Sequence, residues 1–296
     1  MIYKGYKLTE EKDRLIVENV RDFDPIHIFE CGQCFRWVRQ EDHSYVGVVG
    51  GKAIRLHYDR GVLKLIHSSA KDFIDLWYEY FDLGRDYLDI KQKLSKDDIM
   101  RKAIEFGRGM RILKQNSWEM IISFIISSNN RIPRIINIID AISKVYGEEI
   151  EFEGQVRYSF PGLEKLSCTS IEDLDFCKSG YRCKYIVETS KMLKSGVVSA
   201  DRLFGRSTEE ARNELMKLSG VGPKVADCIL LFSGIKQDVF PTDVWVKRVM
   251  EELYFGRETS LKEIQEFIKD YFGELAGFAQ QYLFYYAREN KIGTKT

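Results

Sequence analysis

Over residues 1 to about 95, short runs alternate apolar with polar positions. Ala53-Ile54-Arg55-Leu56-His57-Tyr58 and Val62-Leu63-Lys64-Leu65-Ile66-His67 show the two-residue period of strands that bury one face. Arg14–Val20, Cys34–Arg39 and Tyr45–Val49 are further runs rich in β-branched and aromatic residues. Gly50-Gly51 and Asp59-Arg60-Gly61 fall between runs, where hairpin turns belong. This predicts an antiparallel sheet with one face in a core.

The period then changes. Phe73–Gly84 reads as a helix, and the charged stretch Lys91–Lys102 leads to Phe106. From Gln115 on, the chain reads as entirely helical. Trp118–Ile126 is apolar enough to be buried, and Pro133 begins a helix whose buried face is Ile135, Ile138, Ile139, Ile142 and Val145. Gly273–Asn290 carries Leu275, Phe278, Ala279, Tyr282 and Tyr286 at helical spacing. The expectation is an α+β protein: an antiparallel sheet domain at 1–105, then a helical domain at 106–296.

Leu218–Met250 holds the candidate chemistry. Ser207-Thr208-Glu209-Glu210 has the form of a capping box, so a helix runs from there to about Leu218. Gly220-Val221-Gly222 breaks it, and Pro223 suits the first position of a second helix with Val225, Ile229 and Phe232 on one face. Two glycines that accept positive φ leave N–H groups uncovered at a helix start, a site for a phosphate. Lys224 sits in that first turn, where the positive helix end and burial are expected to lower its pKa. Moving an amine from ~10.4 to roughly 7–8 makes it a nucleophile at neutral pH. Asp243 caps a further helix, Val244–Leu253, which stabilises its carboxylate. Alone, a lysine after a Gly-Pro turn is a surface residue and an aspartate at a helix start is a cap. Together, beside a phosphate cradle, they point to covalent chemistry on a nucleic-acid sugar.

This stretch resembles the helix-hairpin-helix DNA glycosylases with a Gly/Pro-Asp loop (HhH-GPD), and Val-Gly-Pro-Lys-Val-Ala-Asp-Cys (Val221–Cys228) resembles the 8-oxoguanine DNA glycosylases. The resemblance implies a bifunctional enzyme of base excision repair. Lys224 would attack C1′ of the damaged nucleotide, form a Schiff base and permit β-elimination. Asp243 would stabilise positive charge on the sugar. No metal is implied, though a monovalent cation at the Gly220–Gly222 hairpin is allowed.

Further segments fit the same family, each with a plainer reading beside it. Gly32-Gln33-Cys34-Phe35-Arg36-Trp37 could be merely a glycine before a strand; by resemblance the Gly32 carbonyl accepts from N7–H of 8-oxoguanine. Guanine N7 is an acceptor, so one carbonyl can discriminate. Ser127–Arg134 could be a capped helix connection; by resemblance Asn129 fills the gap left by the flipped base and Arg134 reads the orphaned cytosine. Gly180–Tyr185 could be a helix start with a packed tyrosine; by resemblance Tyr181 wedges into the stack and Arg182 contacts the cytosine. The aromatic stripe near the C-terminus is otherwise core. By resemblance Gln280 bonds the Watson–Crick edge of the base, with Phe284 stacked on one side and Cys228 on the other. One departure stands out: Trp245 occupies the position of a family histidine, and Ala287 that of its acidic partner. This puts a phosphate contact there in doubt.

Composition narrows the picture. The 296 residues have a formal net charge of +0, so DNA affinity has to come from a local basic face. Cysteines 31, 34, 168, 177, 183 and 228 include a single CxxC and no dense C-terminal cluster; reduced thiols fit. The N-terminus is polar and no stretch is long enough to span a membrane. The expected partner is duplex DNA carrying oxidised guanine. One chain suffices, so a monomer is the default, cytoplasmic and nucleoid-associated in a prokaryote or nuclear in a eukaryote. Three alternatives stay open: an alkylbase glycosylase, which would keep Asp243 but lack Lys224; a lyase for another oxidised base; and a non-catalytic hairpin module, which would need neither residue.

Overall fold

The computed structural model describes residues 1–294. Seven antiparallel strands form one sheet: β1 (Ile2–Tyr3), β2 (Tyr6–Glu11), β3 (Arg14–Glu18), β4 (Trp37–Arg39), β5 (Tyr45–Val49), β6 (Lys52–Asp59) and β7 (Val62–Ile66), in the order β1-β2-β3-β7-β6-β5-β4. The predicted alternation sets the register. Leu15 pairs with Leu65, Leu65 with Leu56, and Leu56 with Tyr45, placing a buried row across four strands. Phe73, Trp77 and Phe81, from a helical segment that crosses this face, complete the sheet core. Strands β1 and β2 and the short helix Pro25–Phe29 were not foreseen.

The expectation that everything after Gln115 is helical needs correction. Strands β8 (Glu149–Phe152) and β9 (Gln155–Tyr158) form a hairpin through Glu153-Gly154, both at positive φ. Four-residue strands are too short for their period to stand out against the helices around them. The hairpin returns to the sheet: Phe152 packs with Val46, Val48 and Ala53, and Arg55 Nε donates to Glu153 at 2.9 Å.

The helices share a second core, and Tyr87, Ile90, Leu94, Met100 and Ile104 already belong to it. The segment after Phe29 threads between the two cores. Cys31 and Phe35 point into the helical core, Cys34 and Trp37 into the sheet core. The intervening loop is thereby pinned where the two bodies meet. No helix among the described residues is long and apolar enough to cross a membrane.

Candidate active site

The capping box is present: Ser207 accepts from the Glu210 N–H and the Glu210 carboxylate accepts from the Ser207 N–H, starting Thr208–Leu215. Turns carry the chain to the hairpin. Gly220 has φ +78°, and a Cβ there would lie 2.7 Å from the Tyr185 ring, so glycine is required on both counts. Gly222 departs from expectation. Its φ of −99° and ψ of −178° are extended, open to any residue. A side chain at Gly222 would meet nothing within 4 Å, so its backbone faces free space. The N–H groups of Gly220 and Gly222 have no protein partner among the described residues. They stand just before the helix Pro223–Phe232, as an anion cradle would.

Lys224 is half-buried on the first turn of that helix, its Nζ 5.7 Å from the centre of the Phe124 ring. The expected fall in its pKa is not what the structure gives. Burial pulls the pKa down, but Cys228 and Asp243 outweigh it, and the net direction is up. The helix end and desolvation favour the neutral amine, but a sulfur one helical turn away and the Asp243 carboxylate act the other way. Burial in turn pushes the Cys228 thiol up, so that group is a neutral wall at physiological pH. Asp243 accepts from Val246 N–H at 2.8 Å and caps Val244–Met250. This helix ends three residues earlier than expected, giving way to the π-helical turn Glu251–Phe255. Asp243 is near enough to act on Lys224 through its charge, without an ion pair to it among the described residues.

The C-terminal helix Ala276–Glu289 meets Pro223–Phe232 at Gly277. A Cβ on Gly277 would lie 2.4 Å from Leu231 Cδ1, so only glycine permits this approach. One turn on, Gln280 is 4 % exposed and its Oε1 is buried without a partner. A further turn brings Phe284 against Gly32: a Cβ at Gly32 would lie 3.4 Å from Phe284 Cε1. Gly32 itself has φ +87°. Trp245 stands edge-on to Phe284, with ring centroids 5.2 Å apart. Its indole N–H donates to the Ile292 carbonyl at 3.1 Å, so Trp245 does not offer that donor elsewhere.

The two loops expected to enter DNA lie side by side. Asn129 is exposed at φ +48°, and Tyr181 is 55 % exposed with its hydroxyl 3.4 Å from the Ser128 carbonyl. Arg134 is exposed and donates to the Lys178 carbonyl at 2.9 Å. Arg182 behaves differently from a free reader of bases. It is 4 % exposed, and its guanidinium donates to the carbonyls of Ser128, Asn129 and Ser179. The guanidinium carbon also lies 4.4 Å from the Tyr181 ring centre. Its main observed work is to hold one loop against the other. Arg131, Arg134, Lys178 and Arg182 make no ion pair among the described residues, so a neutral protein carries unneutralised cations here.

Residues 15–121 match the 8-oxoguanine DNA glycosylase N-terminal domain, and residues 122–274 match the HhH-GPD superfamily of base excision DNA repair proteins. The chain belongs to the 8-oxoguanine DNA glycosylase/lyase family of the HhH-GPD superfamily. A probable N-glycosylase/DNA lyase of Methanothermobacter thermautotrophicus is 36% identical over 232 residues, covering 72% of this chain and 74% of that one. The N-glycosylase/DNA lyase OGG1 of Arabidopsis thaliana is 32% identical, covering 86% and 75%. The Clostridium acetobutylicum 8-oxoguanine glycosylase/lyase, crystallised with duplex DNA containing cytosine opposite 8-oxoguanine, superposes with a TM-score of 0.94 at 44% identity, covering 97% of this chain and 99% of that one. The protein is a DNA-repair glycosylase with AP lyase activity, and DNA is its substrate.

Some of this glycosylase's site residues carry no local signal in the sequence. Gln115, Gln281 and Arg288 hold the loop that presents Gly32, through Gln33 O, Cys31 O and Glu30 O respectively. Arg288 and Glu30 are 258 positions apart, so no local pattern could have paired them.

Proposed function

We propose that this glycosylase excises 8-oxoguanine, preferentially opposite cytosine, through an imine on Lys224, and then nicks the strand by β-elimination. Unused acceptors carry the reading. Gln280 Oε1 is buried without a partner, and the Gly32 carbonyl has none among the described residues. A buried acceptor left unpaired costs about 1–3 kcal/mol, which a ligand donor recovers. 8-Oxoguanine brings N–H groups on its Watson–Crick edge for Gln280 and N7–H for Gly32; guanine would set a lone pair against the carbonyl. Phe284 would cover one face of the base and Cys228 the other.

The chemistry begins with loss of a proton from the Lys224 ammonium. The free amine attacks C1′, the glycosidic bond breaks, and its electron pair leaves with the base. A proton passes from the attached nitrogen to O4′ as the C1′–O4′ bond breaks, which opens the sugar and leaves the protonated imine. Removal of a C2′ proton then expels the 3′ phosphate. Asp243, whose charge reaches Lys224, would stabilise the positive charge that develops on the sugar. Asn129 and Tyr181 would fill and wedge the stack, Arg134 would read the cytosine, and Arg182 would chiefly brace the Asn129 loop. A monovalent cation at the hairpin carbonyls is compatible with this scheme, which routes no step through it. The enzyme would act as a monomer on the DNA of its own compartment.

Borohydride trapping on duplex with 8-oxoguanine opposite cytosine tests the reading. A covalent adduct formed by the wild type and absent from Lys224→Gln supports it. No adduct from an enzyme that cleaves, or an undiminished adduct from the variant, refutes it.

A further inference from the structure

The loop Glu30–Gln33 has a pattern in how its carbonyls are used. Glu30 O accepts from Arg288 Nη2 at 2.6 Å. Cys31 O accepts from Gln281 Nε2 at 3.1 Å, and Gln33 O from Gln115 Nε2 at 2.8 Å. Gly32 O alone is left open. The buried Gln33 side chain ties the loop to the neighbouring strand, donating to Arg111 O at 2.7 Å and accepting from Leu113 N–H at 2.8 Å. Gln281 and Arg288 lie seven residues apart, two turns along one face of the C-terminal helix. That same helix presents Gln280 and Phe284. Arg288 is further oriented by Glu289, which accepts from its Nε at 2.8 Å.

We propose that Gln281 and Arg288 are positioning residues for lesion discrimination: they hold the loop so that the Gly32 carbonyl is free and fixed relative to Gln280 and Phe284. The inference rests on the reading that this carbonyl accepts from N7–H. A hydrogen bond of that kind needs a donor–acceptor distance of about 2.7–3.2 Å, and a loop that drifts by about half an ångström forfeits much of it. The repulsion that rejects guanine depends on the same placement. A carbonyl free to rotate away would stop penalising the lone pair on guanine N7. Fixing the loop from the helix that also grips the base makes one rigid body the ruler for both contacts.

The test compares binding of two short duplexes, with 8-oxoguanine or guanine opposite cytosine, by full-length protein carrying Lys224→Gln so that no turnover occurs. Adding Gln281→Met, or Arg288→Leu, is expected to shrink the preference for 8-oxoguanine by roughly three- to tenfold, the worth of one hydrogen bond. Arg288→Lys, which keeps a donor, should restore most of it. A purely structural role would weaken both duplexes in parallel and leave their ratio unmoved; that result overturns the inference, as does a full preference in both variants. Equal binding of the two duplexes before any loop substitution would instead sink the base-reading scheme beneath it. The variants act at separate contacts, so misfolding of one leaves the other as the test.

Discussion

Trp245 sets its indole edge-on to Phe284, with the ring planes at 89°, and spends its N–H on the Ile292 carbonyl. A residue that replaces a family histidine therefore serves packing here. Its contact steadies the ring proposed to stack on the base. Trp245→Ala should raise KM for 8-oxoguanine duplex by roughly two- to tenfold, the range of one aromatic pair, with a smaller fall in kcat. Steady-state excision assays decide this. A loss confined to kcat would instead assign Trp245 to the chemical step.

The protonation state of Lys224 gives a second prediction. Burial lowers its pKa, but Cys228 and Asp243 raise it more, so the resting enzyme carries an ammonium at neutral pH. Raising the pH then supplies nucleophile. Nicking of a preformed abasic site should accelerate between about pH 7 and 9, with the free-amine fraction growing about tenfold per unit. Asp243→Asn removes a carboxylate whose charge raises the pKa and should move this rise to lower pH. A flat profile in the wild type, or a rise displaced upward in the variant, would contradict the assignment.

The hairpin glycines should separate by phenotype. Gly220→Ala forces a side chain into Tyr185 at positive φ and should cost about 1–3 kcal/mol of stability. Gly222→Ala puts a methyl into open space, with no strain to pay, and should leave the melting temperature unchanged. If the backbone there meets a phosphate, the methyl intrudes on it and DNA affinity falls. Thermal unfolding and duplex binding of both variants decide it; unchanged affinity in Gly222→Ala would remove the phosphate from that spot.

The wedge loops are legible in part. Ser127–Arg134 and Gly180–Tyr185 announce themselves as polar breaks with arginines, and both stand on the same surface. The service Arg182 renders to Ser128 and Asn129 is a contact across more than fifty positions, which no local period encodes. The same limit hid Arg288; at Lys224 the sign turns on Cys228, a local neighbour one helical turn on, together with Asp243 from the next helix. Hairpins such as β6–β7 are readable because alternation and Gly61 agree; β8–β9 is not, because both of its strands have only four residues, against eight and five in β6 and β7.

Arg182 and Arg134 should therefore fail differently. Arg182→Ala orphans the carbonyls of Ser128, Asn129 and Ser179 and should cost about 2–4 kcal/mol in urea unfolding. Arg134→Ala, at an exposed position, should leave stability within about 0.5 kcal/mol and flatten the dependence of excision on the opposite base. Undiminished cytosine preference in Arg134→Ala would take the reading role away from it.

The imine itself is open to direct inspection. Peptide mapping by mass spectrometry of the borohydride-reduced complex with 8-oxoguanine duplex locates the sugar remnant. The remnant is expected on the peptide containing Lys224, with proteolysis blocked at that lysine. A remnant on another lysine, or on the amino terminus of Met1, would contradict it.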